Sequence, residues 1–258
     1  MSRLRAKCPD CKTFTAVALG PEYECHSCGR TFDSGLVRVP QAWGEGGEAM
    51  AEAAWLELPS PETGVVEAES LEEQSLALAA DLPERPLVLG GCCCVHIGAV
   101  EGLAARQGRI SLIWFDAHGD LNTVESSPSG NLWATPLRML IDSGAVEAGD
   151  VALVGARNLD APEEEFIKTT GLHLGEAGIA RALTGTTNTY VAFDVDVLDP
   201  SEAAMFMPEP DGLSVADAER ILGHISAGTK VLGAGFSGAS FELENVAPLS
   251  RLATALKL

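Results

Sequence analysis

Short, wholly apolar runs alternate along most of this chain with longer stretches in which apolar residues recur every three or four positions. That alternation predicts strand, helix, strand. Leu36 to Val39, Pro86 to Gly91, Ser111 to Phe115, Val151 to Val154, Tyr190 to Phe193 and Lys230 to Phe236 read as strands, with a weaker one at Val65 and Val66. Helices are expected over Glu48 to Leu58, with Met50, Ala53, Ala54 and Trp55 on the apolar side, over Leu71 to Leu82, and from Cys92 through Ala105. Leu132 to Gly144, Ala161 to Thr170 and Leu249 to Leu256 supply three more. Another starts at Ser214, an N-cap with Asp217 three residues on, and runs to Ile225. Strands apolar throughout and alternating with helices imply a parallel sheet covered on both faces. Sites in such sheets lie outside the carboxyl ends of the strands, where Cys93, Asp116, Arg157 and Asp194 fall.

The first 35 or so residues break this pattern. They carry Cys8-Pro9-Asp10-Cys11 and Cys25-His26-Ser27-Cys28, with thirteen residues between the pairs. Each CxxC turns two sulfurs toward one ion, and two such knuckles complete a tetrahedral site, so the segment resembles a zinc ribbon. So small a core folds on the free energy of metal binding, on the order of 10 kcal/mol. The expected division is therefore a ribbon over residues 1–35, with a structural zinc on Cys8, Cys11, Cys25 and Cys28, and one larger domain over 36–258. Arg3, Arg5, Lys7, Lys12, Arg30 and Arg38 barely outnumber the acids around them, and four thiolates on zinc cancel the excess. A protein-contact role for the ribbon is favoured over nucleic-acid binding.

Composition narrows the class. Hydrophobic residues make up 46% of 258, enough for a sizeable core. No apolar run approaches the length that spans a bilayer, and no apolar signal segment follows Met1, so a cytoplasmic protein is expected. A net charge of −20 repels phosphates and argues against a nucleic-acid-binding body. The remaining cysteines, Cys92, Cys93 and Cys94, are contiguous.

The strongest chemical signal follows the strand at Ser111 to Phe115. Asp116, His118 and Asp120 alternate, so in an extended chain their heads converge on one side. Asp194 and Asp196 repeat the arrangement at another strand end. Four carboxylates and an imidazole suffice for two divalent ions with shared oxygens. Polar loops whose Asp residues cap the next helix are the bland alternative.

These motifs resemble the arginase/agmatinase (ureohydrolase) family. The resemblance covers about Leu36 to Leu258 and rests on Phe115-Asp116-Ala117-His118-Gly119-Asp120-Leu121-Asn122, Ser129-Gly130-Asn131-Leu132, Val154-Gly155-Ala156-Arg157-Asn158-Leu159-Asp160 and Phe193-Asp194-Val195-Asp196-Val197-Leu198-Asp199-Pro200. It implies a three-layer α/β/α fold on a mostly parallel sheet, a homo-oligomer, two Mn²⁺ ions and attack of a bridging hydroxide on the guanidinium carbon of a small substrate. Carried over by position, Asp116 and Asp194 bridge the ions, Asp120 binds one, and His118 and Asp196 the other. Asp120 also accepts the hydroxide proton. Asn122, Ser129, Asn131 and Asp160 take the positions that contact the substrate's amino-acid end.

Three departures alter the expectation. Cys93 stands where the family has a metal-binding His; a thiolate favours softer ions such as Zn²⁺ or Fe²⁺, and a helix N-terminus lowers its pKa. His96, three residues on, is either a displaced ligand or a packed helix residue, and Cys92 and Cys94 read as small buried groups. Trp133 replaces a proton-shuttling His; its indole exchanges no proton near neutrality and its bulk narrows the pocket. Glu244 is the closest match for the Glu that contacts the guanidinium after the last strand. The expected function is metal-dependent hydrolysis of a C–N bond in a linear amidine, guanidino or amide compound, with ordinary arginase activity not expected. A one-ion, zinc deacetylase-like hydrolase built on Asp116, His118 and Asp194 stays open, as does a non-catalytic regulatory or assembly subunit.

Overall fold

A computed structural model describes residues 4–258, so Met1, Ser2 and Arg3, which entered the signal-segment and charge readings, lie outside the described residues. At the amino end, β1 (Arg5–Ala6), β2 (Ala16–Leu19), β3 (Glu22–Cys25) and β4 (Thr31–Phe32) form an antiparallel sheet in that order. Ala6, Cys8, Ala16, Tyr23, Cys25 and Phe32 are the whole of its buried cluster. The unit rests on the edge of a larger sheet. Lys7 and Glu62 exchange backbone hydrogen bonds of 2.8 and 3.0 Å, and Lys12 Nζ lies 2.6 Å from Glu57 Oε2.

The rest of the chain alternates as its pattern predicts. Its first half contains β5 (Gly35–Val39), α1 (Glu48–Ala51), β6 (Glu62–Val65), α2 (Leu71–Asp81), β7 (Pro86–Gly90), α3 (Val95–Gln107), β8 (Ser111–Phe115) and α4 (Pro136–Asp142). Then follow β9 (Val151–Val154), α5 (Ala161–Thr170), β10 (His173–Leu174), α6 (Glu176–Ala182), β11 (Asn188–Asp194), α7 (Val215–Gly228), β12 (Lys230–Ser237) and α8 (Val246–Ala255). The eight strands β5–β12 form one sheet in the order β10-β9-β8-β11-β12-β7-β5-β6, every neighbouring pair parallel. This is the expected three-layer α/β/α arrangement, a parallel sheet flanked by helices on both faces.

Side-chain alternation along each strand sorts the core into two layers. Leu87, Leu89, Ile113, Phe115, Val191 and Phe193 join Ile179, Leu222 and Leu252 from α6, α7 and α8. Val88, Leu112, Trp114 and Tyr190 face Leu78, Val100 and Leu137 from α2, α3 and α4. Both faces are thus dry, which is why β8 is buried at every position rather than at every second one.

Four local expectations are corrected. The helix from Glu48 ends as a 3₁₀ turn at Glu52–Trp55 rather than at Leu58. Arg38 reaches over from β5 to take the carbonyls of Ala54 and Leu56, satisfying the groups that a further turn would have used. Trp55 is 45% exposed rather than packed on the apolar side. The helix expected from Leu132 is a 3₁₀ turn, Leu132–Ala134, then α4, because Thr135 precedes a proline and leaves the helical region. Finally, β10 and α6 carry no clear period in the sequence; they are two and seven residues long, and Gly175 and Gly178 interrupt them.

Helices α2 and α3 meet closely at Gly98, where an added Cβ would stand 2.5 Å from the Ser75 carbonyl oxygen. A Gly98→Leu variant is expected to lose at least about 2 kcal/mol through overpacking, more than the ~1 kcal/mol its better helix propensity returns. Urea unfolding measures this; unchanged stability would mean that the two helices can separate freely.

Candidate active site

β7, β8, β11 and β12 are adjacent in the sheet, and their carboxyl ends bring the candidate ligands together. Cys93 follows β7, Asp116 to Asp120 follow β8, and Asp194 ends β11. Backbone donors shape the two acidic segments. Asp116 Oδ1 accepts from the His118 amide at 2.7 Å and Asp194 Oδ1 from the Asp196 amide at 3.0 Å. Asp196 Oδ1 accepts from the Ala117 amide at 3.0 Å, tying one segment to the other. Trp114 Nε1 donates to Asp116 Oδ2 at 3.0 Å from the strand itself. Asp120 has φ +52°, a left-handed conformation that Asp tolerates better than most residues, and this turns its carboxylate back into the cluster. Gly238, with φ +72° just past β12, could not carry a Cβ without striking the Asp194 carboxylate.

Two ligand groups result. Single atoms of Cys93, Asp116 and Asp120 lie within 4.8 Å of one another, as do those of Asp116, His118 and Asp196. Asp194 Oδ2 is 2.8 Å from Cys93 Sγ, which donates to it. His118 Nδ1 is 2.9 Å from Asp196 Oδ2 and 3.4 Å from Asp116 Oδ1, and its Nε2 is 3.6 Å from Glu209 Oε1.

The electrostatics follow from crowding buried acids. Burial, then the charges of Asp116 and Asp194, push Asp120 well above the ordinary carboxyl range, and burial with the charges of Asp194 and Asp116 does the same to Asp196. Burial works against charge on His118, but hydrogen bonds to Asp116 and Asp196 and their negative charge win, and it is pushed up to about 12. Burial likewise opposes charge on Asp116, yet the His118 contact and the Trp114 donor hold its carboxyl below the usual range. Cys93 reverses the expectation of a lowered pKa. It precedes α3, but burial and the carboxylates of Asp120, Asp194 and Asp116 raise its thiol far more than a helix end lowers it. The cluster is a well of negative potential that draws positive charge.

Two connected cavities open from it. The inner one, about 20 Å³, is lined by all six candidate ligands and closed by Trp133, Phe206 and Met207. The outer one, about 210 Å³, shares His118, Asp120, Trp133 and Met207 and adds Asn122, Ser129 and Asp160. Trp133, packed edge-on against Phe206 with ring centroids 6.0 Å apart, stands between the two.

The remaining candidates separate. Asn122 Nδ2 donates to Asp160 Oδ2 at 2.9 Å, so these two act as a pair. Asn131 lines neither cavity; its Oδ1 accepts from the Glu45 amide at 3.0 Å. Glu244 lies in the 3₁₀ turn Leu243–Asn245 with its side chain exposed, away from both cavities, and Asn245 is the residue turned inward. The turn's geometry buries alternate chemistry from what register guessing gave. Arg157 is not a substrate group: its guanidinium holds the carbonyls of Gly155, Asp196, Glu209 and Pro210. His96 is packed inside α3, and Cys92 and Cys94 are buried as read.

Three residues escaped the sequence reading. Glu163 lines the outer cavity and accepts from the Leu121 and Asp160 amides, both at 2.9 Å; the Asp160-x-x-Glu163 capping box was the signal for it. Glu209 lies in a loop without periodicity, and Ser237 is one residue past the strand end that the pattern gave, so neither had one. A Glu163→Ala variant leaves the amides of Leu121, in the ligand loop, and Asp160, the N-cap of α5, without these acceptors and is expected to cost about 1–3 kcal/mol. Denaturant unfolding reads the loss; a stability within error of wild type would show that water replaces the carboxylate.

A sequence model of the arginase family matches residues 56–246. The arginase of Bacillus caldovelox is 36% identical over 144 residues, 46% of this chain and 48% of the relative. The chain spans about half the length of the curated relatives it matches. Among solved structures, arginase from Bacillus subtilis superposes with a TM-score of 0.76 at 22% identity, covering 86% of this chain and 97% of the other. Formimidoylglutamase from Bacillus subtilis subsp. subtilis str. 168 gives 0.68 at 20% identity, covering 86% of each. At such identities the likeness is one of fold.

Proposed function

This chain belongs to the arginase family, and we propose that it hydrolyses a C–N bond in a linear amidine or guanidino compound with the help of two divalent ions. One observation carries the reading: the two ligand groups that share Asp116, one containing Cys93 and Asp120, the other His118 and Asp196. The donor set fits cations. Asp120 Oδ2 is buried without a hydrogen-bond partner, a costly arrangement unless a ligand is its partner. In this reading Cys93, Asp116 and Asp120 would hold one ion and Asp116, His118 and Asp196 the other, with Asp194 beside Cys93 able to serve both.

An ion pair bound there supplies Lewis acidity and a water of lowered pKa. The chain's own groups do the rest. Asp120, whose carboxyl lines the inner cavity, would accept the proton of the attacking water. Trp133, Phe206 and Met207 exclude bulk water, which strengthens every charge interaction inside. Asn122, Ser129 and Asp160 receive the tail of the substrate in the outer cavity, where the Asp160 carboxylate favours an amine. Cys93 must surrender its proton to bind metal, and its thiolate moves the preference from Mn²⁺ toward Zn²⁺ or Fe²⁺.

Two features favour alternatives. The group Asp116, His118 and Asp196, with Asp196 in place of the expected Asp194, is complete without Cys93, as a one-ion hydrolase requires. The inner cavity of about 20 Å³ holds little more than one water, as a non-catalytic subunit would tolerate.

The amino-terminal cysteines support a structural zinc site. Cys8 and Cys28 sulfurs are 4.0 Å apart and those of Cys25 and Cys11 3.9 Å, close to the ~3.8 Å edge of a tetrahedron with 2.3 Å Zn–S bonds. The Thr15 hydroxyl holds Cys25 down to about 6, ready to ligate as thiolate. A small-molecule substrate, a homo-oligomer and a protein contact made through the ribbon complete the proposal.

Elemental analysis of purified protein, with an anomalous-scattering map, is expected to give one zinc on the ribbon and two further ions per chain. A panel of guanidino and amidino compounds assayed with Mn²⁺, Zn²⁺, Fe²⁺ and Co²⁺ is expected to show turnover, abolished by Asp116→Ala. Occupancy of the second position alone supports the one-ion enzyme. Turnover appearing only in a Cys93→His, Trp133→His double variant supports the non-catalytic reading. Ordinary rates of urea release from arginine by the unaltered protein with Mn²⁺ would overturn the altered-metal proposal.

Extraction of the ribbon's zinc is expected to unfold β1–β4 and uncover the edge of β6, read as new fast-exchanging amides around Glu62. Amides there that stay protected after chelation would show that the ribbon folds without metal.

A further inference from the structure

Three buried polar side chains lie end to end behind the candidate ligands, and the mechanism above uses none of them. His96, in the first turn of α3 three residues after Cys93, is fully buried. Its Nδ1 is 3.2 Å from Tyr190 Oη and its Nε2 3.3 Å from Ser237 Oγ. Ser237 Oγ is in turn 3.0 Å from Asp194 Oδ2 and 3.5 Å from Cys93 Sγ. The arrangement is fitted to its surroundings. The Trp114 ring meets His96 edge-on at 5.1 Å, and a Cβ on Gly235 would stand 2.5 Å from Tyr190 Oη and 2.8 Å from His96 Cε1.

The direction of these hydrogen bonds is dictated by the acid at one end. An ionised Asp194 only accepts, so Ser237 must give it the hydroxyl proton. Ser237 then has lone pairs alone to offer His96, and Nε2 must carry the ring proton. A neutral imidazole protonated at Nε2 has a bare Nδ1, which accepts from the Tyr190 hydroxyl. Reversing any link turns lone pair against lone pair in a dry interior, where an unmade hydrogen bond is most costly.

The metal-free site has a second donor for Asp194, the Cys93 thiol at 2.8 Å. Ligation removes that proton and leaves two anionic ligands with Ser237 as their shared hydroxyl. We propose that Tyr190, His96 and Ser237 form a one-way hydrogen-bond chain that positions Asp194 and the Cys93 thiolate for the first ion. A neutral histidine ligand would need no such support; a thiolate among buried carboxylates does. His96 is thus a positioning residue that acts through Ser237, in the manner of outer partners that orient metal ligands elsewhere. The inference rests on the reading of Cys93 and Asp194 as ligands of the first ion.

The test uses the full chain with its ribbon loaded with zinc and then titrated with Co²⁺, the Cys93→Ser variant serving as blank for the thiolate-to-cobalt absorption. Ser237→Ala and His96→Leu are expected to weaken cobalt binding tenfold or more and to shift that band. His96→Gln, whose amide can still donate to Ser237, is expected to restore most of the affinity, which general packing damage would not allow. Histidine ¹⁵N NMR on the unaltered protein is expected to show His96 protonated at Nε2 and bare at Nδ1, a readout independent of any variant's folding. A wild-type band that persists unchanged in Ser237→Ala and His96→Leu overturns this inference alone, as does a ring proton on Nδ1. Absence of the band in the wild type removes the metal reading and this proposal with it.

Discussion

Asp116, Asp120, Asp194 and Asp196 converge within one dry volume, and the surrounding structure is arranged around the cost of placing them there. Isolated, each buried carboxylate would be neutral. Here the backbone amides of Ala117, His118 and Asp196 and the indole of Trp114 support the charged forms. The left-handed turn at Asp120 and the bare backbone at Gly238 let the groups approach. No ordinary core would tolerate the arrangement without compensation. Cations are that compensation, and the protonated tendency of His118, Asp120 and Asp196 is the same demand expressed with protons.

Against that background a thiol at Cys93 is electrostatically adverse, because it adds a potential negative charge where charge is already in excess. The raised thiol pKa is the apo cost of it. A soft ion bound there would offset that cost through a metal–thiolate bond, and the proposed donor chain behind Ser237 would offset more of it by hydrogen bonding. Trp133 adds apolar bulk beside this charge, and with Phe206 it walls a small cavity next to a larger one.

The amino-terminal unit solves a different problem. A parallel sheet that ends at β6 presents an unpaired edge, a template for unwanted strand pairing. The Lys7–Glu62 backbone exchange and the Lys12–Glu57 pair cover part of it. The unit's own apolar cluster is slight, so the protection of that edge is tied to whatever holds the four cysteines together.

Much of this was legible in the chain. Continuous apolar runs such as Ser111 to Phe115 determine a two-sided parallel sheet, because only strands buried on both faces afford no polar position. Asp and His residues just past such runs mark the strand ends where ligands converge, but not through the period of two expected of extended backbone: Asp120 is left-handed and Val195–Val197 form a 3₁₀ turn. An N-cap at Ser214 and a capping box at Asp160 mark two helix starts. Other features depend on contacts between segments far apart in sequence. Arg38 shortens a helix by taking carbonyls sixteen and eighteen positions away; the exposure of Glu244 and the inward turn of Asn245 follow from how the 3₁₀ turn docks; and the raised thiol of Cys93 follows from burial and from carboxylates brought by β8 and β11. His96 is the sharpest case. Its sequence position suggests a spare ligand or a packed residue, and only the juxtaposition of α3, β11 and β12 makes it the middle of a donor chain. Local pattern determines direction and burial; the sum of fields and hydrogen bonds at one point is a property of the assembled sheet.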